Sequence, residues 1–315
     1  MPDWAEAIVL GIIEGITEFL PVSSTGHLLI AQRWVSQQSA LFNTVIQCGA
    51  VLAVALLFRE KIQKLIQSRE DSTSREYLKK LAIAFILTGI GGLILKKLGL
   101  ELPDNITPVA WATLIGGVLF VLIERRRAKK GGENSGTEEI TWTIALAVAA
   151  AQLLAASFPG ASRSGATIMM ALVLGMRRAE AAEFSFLVGI PTLLSAGAYE
   201  ASKAIRQNNP PTTNDWMLLA IGTVTAAATA FLVVRWLLRF IQTHSFVAFG
   251  WYRIVLGVTL LAIGEIPATK IKPENETKRE GKQATSQSYS QLKNEPESAT
   301  ECLAKSAHEA VRPFQ

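Results

Sequence analysis

Glu14-Gly-Ile-Thr-Glu18-Phe-Leu-Pro21-Val-Ser23-Ser24-Thr-Gly-His27 lies inside otherwise apolar sequence. Glu14 and Glu18 are four residues apart, so a helix puts both carboxylates on one face. Pro21 lacks an N–H and restricts the residue before it, so it ends that helix. Ser23 and Ser24 stand where a second helix starts. Such a start offers free backbone N–H groups and a positive dipole end to an anion. A solvated, capped helix-turn-helix would use the same residue types, but these flanks are too apolar for a solvated face.

The chain has 315 residues, half of them hydrophobic and 18% charged, with a mean hydropathy of +0.29. Apolar runs near the length of a bilayer span recur along it. This pattern predicts an all-α polytopic membrane protein and argues against a soluble multidomain enzyme. The net charge is only +5. The basic residues cluster between apolar runs, which suits membrane topology and gives no nucleic-acid patch. Cys48 lies in an apolar run and Cys302 in a polar tail, so neither a disulfide framework nor a metal-ligand spacing is expected. The acidic N-terminus, Met-Pro-Asp-Trp-Ala-Glu, lacks the positive region of a cleaved signal peptide.

Residues 4–20 and 25–35 are each too short to span comfortably, and are expected to form a helical hairpin hinged at Pro21. Polar backbone at such a hinge is tolerated only where protein or a wet cavity surrounds it. Spans are expected at 41–58, 81–98, about 107–123, 184–201, about 216–236 and 249–266. A charged loop is expected from Arg59 to Lys80, and a basic cluster, Arg125 to Lys130, precedes a Gly/Glu/Ser linker. Residues 140–157 end at Phe158-Pro159-Gly160, and Ala161-Ser162-Arg163-Ser164-Gly165-Ala166-Thr167 follows. Residues 1–266 are expected to form the membrane-embedded catalytic domain, and residues 267–315 a disordered polar tail.

The two halves echo each other. Phe19-Leu-Pro21-Val-Ser23-Ser24-Thr25-Gly26 parallels Phe158-Pro159-Gly-Ala-Ser162-Arg163-Ser164-Gly165. The expected repeats are about 1–130 and about 140–266, each a re-entrant hairpin followed by three transmembrane helices. Interrupted helices repeated in this way point to a site at the repeat interface. The positive-inside rule then orients the chain. With the Arg59–Lys80 segment in the cytoplasm, Arg125–Lys130, Arg177, Arg178, Arg235 and Arg239 fall there too. Arg33, Lys96, Lys97, Lys203 and Arg206 fall outside. The first hairpin then enters from outside, the second from inside, and the repeats are inverted.

Hairpins entering from opposite faces bring their tips together near the middle of the membrane. Glu14, Glu18, Ser23, Ser24 and His27 would then meet Ser162, Arg163, Ser164 and Thr167. Each intramembrane charge alone costs roughly 2.5–3.5 kcal/mol on insertion scales, so glutamates and an arginine at one depth offset each other. Arg163 offers a planar fork of donors suited to phosphate, beside the hydroxyls of Ser162, Ser164 and Thr167. Glu14 and Glu18 offer oxygen ligands to Mg²⁺ or Ca²⁺, or one of them serves as a base. Ser24 or Ser23 is a candidate nucleophile, with His27 as acid or base. Helix capping by the serines and a structural Arg–Glu ion pair are the plainer alternatives.

Glu14-x-x-x-Glu18 with Pro21-Val-Ser-Ser24-Thr-Gly-His27, together with Pro159-Gly-x-Ser162-Arg163-Ser164-Gly-x-Thr167, resembles the bacterial undecaprenyl-diphosphatases of the bacitracin-resistance type. The resemblance covers about residues 1–266. It implies an integral membrane phosphatase that converts undecaprenyl diphosphate to the monophosphate, recycles the lipid carrier of cell-wall synthesis and confers bacitracin resistance. It also implies interleaved inverted repeats with two re-entrant hairpins, and a functional role for Glu14, Glu18, Ser24, His27, Ser162, Arg163 and Thr167. The expected partners are a polyprenyl diphosphate lipid and the bilayer, with room for a homodimer. The expected location is the inner membrane, with the site open to the periplasmic side. A polyprenyl-phosphate flippase is the rival function, because inverted repeats with broken helices are also transporter architecture.

Overall fold

The computed structural model describes residues 1–31, 34–36, 38–68, 70–98, 106–131, 136–207 and 210–264. They form eleven helices: α1 (Asp3–Thr17), α2 (Ser24–Ala31), α3 (Ala40–Leu57), α4 (Arg59–Gln67), α5 (Ser72–Lys97), α6 (Ile106–Gly131), α7 (Trp142–Ser157), α8 (Arg163–Val173), α9 (Arg178–Ile205), α10 (Thr213–Thr243) and α11 (Val247–Ile263). Among the described residues the only β pairing is an isolated bridge between Thr137 and Met176. Met1–Ile266 is one compact unit. The expected tail, 267–315, lies outside the described residues.

Among the described residues, five helices are long and apolar enough to cross a membrane: Ala40–Leu57, Ser72–Leu95, Ile106–Lys129, Arg178–Ile205 and Thr213–Thr243. The protein is therefore a multi-pass membrane protein. The sixth expected span, at 249–266, is α11, which at 17 residues is shorter than those five. Trp142–Ser157 and Arg163–Val173 are apolar but shorter again, as the arms of a hairpin should be.

The expected charged loop from Arg59 to Lys80 is instead helical. α4 occupies its first part, and α5 begins at Ser72. α4 is amphipathic, and its Leu65 is buried. Lys61 pairs from α4 with Glu183 on α9, so Glu183, which precedes Phe184-Ser185-Phe186, anchors a surface helix. The basic cluster after residue 123 likewise continues α6, because straight-chain Arg and Lys lose little rotamer freedom in a helix.

Each hairpin packs against a span from the other half. α1 lies along α10, and α7 lies along α5. α6 pairs with α11, and α3 packs on both α9 and α10. The α1–α10 contact is close because both surfaces are small: a Cβ on Gly11 would stand 2.6 Å from the Gly222 carbonyl oxygen, and one on Gly15 would stand 2.6 Å from that of Ala226. Small-residue seams of this kind drive helix association where lipid removes the hydrophobic drive. Leu52, Leu56, Ile90, Leu93, Val224, Leu232 and Val255 are exposed, as lipid-facing side chains should be. The exposed Trp4, Trp34, Trp111, Trp142, Trp216 and Trp251 sit near element ends, where interfacial aromatics anchor a membrane protein, whereas the exposed Trp236 lies within α10.

The ion pair between Arg178 and Glu124 is wholly internal. Arg178 donates to both carboxylate oxygens of Glu124, with Nη2–Oε2 at 2.7 Å, and both residues are buried. Glu124 also accepts the Phe246 N–H, so it ties α6 to the starts of α9 and α11. Removing one partner would leave a buried charge uncompensated, at a cost of about 3–5 kcal/mol.

Candidate active site

α1 ends at Thr17, and the chain turns through Glu18–Ser23 before α2 opens at Ser24. The helix stops four residues ahead of Pro21, which sits in the turn. α7 ends at Ser157, and the second turn leads to α8 at Arg163. Both turns finish with a serine in the left-handed region, Ser23 at φ 75° and Ser162 at φ 66°. These are the two non-glycine residues with positive φ among the described residues. An L residue there is strained, and such strain clusters at functional sites.

The two turns touch. Ser164 Oγ lies 3.2 Å from the Glu18 carbonyl oxygen and 3.2 Å from that of Leu20. Arg163 reaches across, with Nη2 2.9 Å from Glu18 Oε1. The other oxygen of the same carboxylate, Oε2, accepts from Ser24 Oγ at 3.1 Å. Glu18 thus stands between a hydroxyl on its own hairpin and a guanidinium on the other. Glu18 is buried, whereas Ser24 and Arg163 are half-buried.

Glu14 lies one turn before Glu18 and is fully buried, with neither carboxylate oxygen hydrogen-bonded. Unpaired buried carboxylate oxygens are costly, so this side chain needs a proton or a cation. No cluster of three or more His, Cys, Asp or Glu exists among the described residues. Two carboxylates and neighbouring hydroxyls nevertheless suit a hard divalent ion, which takes oxygen ligands and commonly completes its shell with water and phosphate.

The two serines are sorted by their partners. Ser23 Oγ accepts the Gly26 N–H at 3.3 Å and lies 3.2 Å from Thr113 Oγ1 on α6, so it caps α2 and is buried. Ser24 has its hydroxyl on a carboxylate. The sequence spacing offers His27 as acid or base for Ser24, but its ring nitrogens have other partners. Nδ1 lies 2.7 Å from the Ser23 carbonyl oxygen, and Nε2 lies 2.6 Å from Tyr252 Oη. A carbonyl only accepts, so Nδ1 carries the proton, and in a neutral ring Nε2 accepts from the tyrosine. Ser162 caps α8 by accepting the Gly165 N–H at 3.2 Å. Thr167 is turned into its own helix, with Oγ1 2.9 Å from the Arg163 carbonyl oxygen.

Three residues that the sequence pattern did not single out complete the site. Thr113 stands at the meeting of the turns, with Oγ1 3.2 Å from the Gly160 carbonyl oxygen as well as from Ser23 Oγ. Tyr252 holds His27. Arg253 is buried between the two turns and hydrogen-bonds to backbone of both. Arg253 was detectable, since it is the lone charge in residues 249–264 of the apolar run 249–266, and intramembrane charges mark function by default. Thr113 carries no such signal.

Beside the polar cluster is an apolar cavity of about 870 Å³. Ile13, Leu20 and Val22 line it from the first hairpin, and Trp236, Phe240 and Phe249 from α10 and α11. His27 and Tyr252 line it as well, so the cavity borders the hydrogen-bonded pair that they form.

Residues 7–259 match the family model described as bacitracin resistance protein BacA. An undecaprenyl-diphosphatase of Rhizobium johnstonii is 47% identical over 262 residues, which cover 83% of this chain and 97% of that protein. The Xylella fastidiosa protein of the same name is 48% identical over 256 residues, covering 81% and 96%. That of Xanthomonas oryzae pv. oryzae is 45% identical over 262 residues, covering 83% and 97%.

Proposed function

The chain belongs to the bacitracin resistance protein BacA family, and we propose that it is an undecaprenyl-diphosphatase, hydrolysing undecaprenyl diphosphate to undecaprenyl phosphate and phosphate. The observation that carries this proposal is the line Ser24–Glu18–Arg163, which joins a hydroxyl, a carboxylate and a guanidinium drawn from two hairpins. A flippase needs a binding site that opens alternately to either side; it has no use for a serine hydrogen-bonded to a buried carboxylate. The names of the relatives favour hydrolysis in the same way.

The chemistry comes from the partners. Arg163, with the hydroxyls and free N–H groups at the start of α8, holds the diphosphate. Ser24 Oγ attacks the terminal phosphorus and passes its proton to Glu18 Oε2. The bond from that phosphorus to the bridging oxygen breaks, and undecaprenyl phosphate leaves. Water then attacks the phosphorus of the phosphoserine; its bond to Ser24 Oγ breaks, Glu18 returns the proton to that oxygen, and the proton released by the water leaves with the phosphate. Arg163 faces charge that develops on the transferred group, where a fixed donor in a dry site is most effective. His27, bonded to Tyr252 and to the first turn, orients that turn and borders the cavity. Glu14 and Glu18 would hold a divalent ion, Mg²⁺ or Ca²⁺, which would supply charge neutralisation at the phosphate oxygens. The apolar cavity beside His27 suits the polyprenyl chain, while the head group lies among the polar side chains.

Recycling of the lipid carrier for cell-wall synthesis and bacitracin resistance follow from that reaction. The bacterial inner membrane is the location that it requires. The basic-residue bias supports a topology in which the first hairpin enters from the periplasmic side and the second from the cytoplasm, so the two repeats are inverted. The contacts of α1 with α10 and of α7 with α5 support such an exchange between halves.

Purified protein in detergent should release phosphate from a C55 lipid diphosphate. Rapid acid quench with substrate labelled at its terminal phosphate should leave label on Ser24. Absence of phosphate release would refute the function. Release by the wild type without labelled protein, and by Ser24→Ala at an undiminished rate, would refute the serine route.

A further inference from the structure

Arg253 lies on α11 and is fully buried. Its guanidinium is surrounded by backbone carbonyls. Nε donates to Thr113 O at 3.2 Å, and Nη1 to Pro21 O at 3.4 Å. Nη2 reaches Ala161 O at 2.9 Å, Gly160 O at 3.2 Å and Ala112 O at 3.3 Å. The acceptors come from three places: the first turn, the second turn and α6. The socket is shaped for a flat fork. A Cβ on Gly116 would collide with Nη2, and one on Gly165 would stand 2.8 Å from Nη1.

The placement of those carbonyls matters more than their number. Pro21 lies between Glu18 and the Ser23-Ser24 pair. Gly160 and Ala161 immediately precede Ser162 and Arg163. In a trans peptide the C=O and the following N–H point opposite ways, so anchoring a carbonyl fixes the plane of the whole unit. Holding Ala161 O fixes the peptide that leads into the strained Ser162. Holding Pro21 O fixes the segment that leads into the strained Ser23. One side chain therefore fixes both turns relative to each other and to α6. No substrate atom needs to touch it.

We propose that Arg253 is a positioning residue for phosphoryl transfer: it sets the separation of the two turns so that Ser24 and Glu18 face Arg163. This rests on the phosphatase reading above. Lysine keeps the charge but has no planar fork, and cannot reach acceptors on three segments at once. Misplacing reacting groups by about 1 Å costs on the order of 100-fold in rate.

The test uses full-length protein in detergent with a C55 lipid diphosphate, and turnover normalised to folded, monodisperse enzyme. Arg253→Lys and, independently, Gly116→Ala, which displaces the guanidinium without removing it, should each lower kcat by about 100-fold, with KM within about threefold of wild type. Arg163→Lys should then cost much less in the Arg253→Lys background than in the wild type, because the turn that it serves is already displaced. A merely structural role predicts the opposite: normal kcat per folded molecule and the same factor for Arg163→Lys in either background. That result, or failure of both single variants to fold, would overturn the proposal. Absence of hydrolysis by the wild type would instead refute the phosphatase reading.

Discussion

The two hairpins share a backbone device and differ in charge. In each, a short helix ends, a turn comes next, and a serine with positive φ immediately precedes the second helix. The first turn is flanked by Glu14 and Glu18, the second by Arg163. The residue after each strained serine differs too. Ser23 precedes Ser24, whose hydroxyl faces a carboxylate, whereas Ser162 precedes the arginine itself. One frame thus presents a hydroxyl with a proton acceptor, and the other presents donors for phosphate. In the proposed mechanism neither hairpin alone holds a diphosphate and attacks it. Glu18 is the point of contact, bound on one oxygen by its own hairpin and on the other by the opposite one.

That division predicts a ranking of damage. Ser24→Ala removes the proposed attacking group and should lower kcat on the order of 10⁴-fold or more, with KM little changed. Ser23→Ala, which removes only a cap and a contact to Thr113, should fall far short of that; equal losses in steady-state kinetics would erase the distinction between the two serines. Next is the ion. Chelation with EDTA should lower turnover on the order of 10³-fold, with recovery on adding Mg²⁺ or Ca²⁺, and Glu14→Gln should weaken the recovery. Full activity in chelator would leave Glu14 as a protonated buried acid.

On the second hairpin the expected effects are smaller. Arg163→Lys keeps the charge and loses the fork. One charge-assisted contact contributes about 1.5–3 kcal/mol, so turnover should fall about 10- to 150-fold. Near-normal rates would make Arg163 a counter-ion for Glu18 and little more. The smallest effect tests the shared backbone. Ser162→Gly relieves the positive φ and should leave thermal stability almost unchanged, whereas Ser162→Ala keeps the strain, loses the cap and should cost about 0.5–2 kcal/mol. The same order at Ser23, Gly above Ala in thermal unfolding, would show that the two turns are equivalent. A reversed order at one of them would break the parallel.

The hairpins were legible because intramembrane carboxylates, proline and paired serines are rare in apolar sequence, and because the motif recurs. The start of α2 at Ser24 followed from Pro21 and the capping residues. The helices within residues 59–80 were hidden, because charge density there masks the helical spacing of Ile62 and Leu65 on α4. The partners of His27 were hidden for another reason. Spacing along one chain suggests Ser24, but the ring is held by Tyr252 on α11 and by the Ser23 carbonyl. Contacts between distant segments leave no local periodicity. Arg253 belongs to the same class, although its charge alone was a sufficient clue.

The packing of α1 on α10 has a consequence for biogenesis. α10 is made roughly 200 residues after α1, about 10–40 s later at ordinary elongation rates. Before the second half is made, Glu18 lacks the arginine of α8 that pairs with it, and α1 lacks the helix along which it packs. A nascent first hairpin carrying two unmatched carboxylates has little reason to stay in the lipid. It should wait at the surface or beside the insertion machinery, and enter only when the second half arrives. Truncation before α10 should therefore leave that hairpin accessible to water-soluble reagents, even though every residue of its own motif is present.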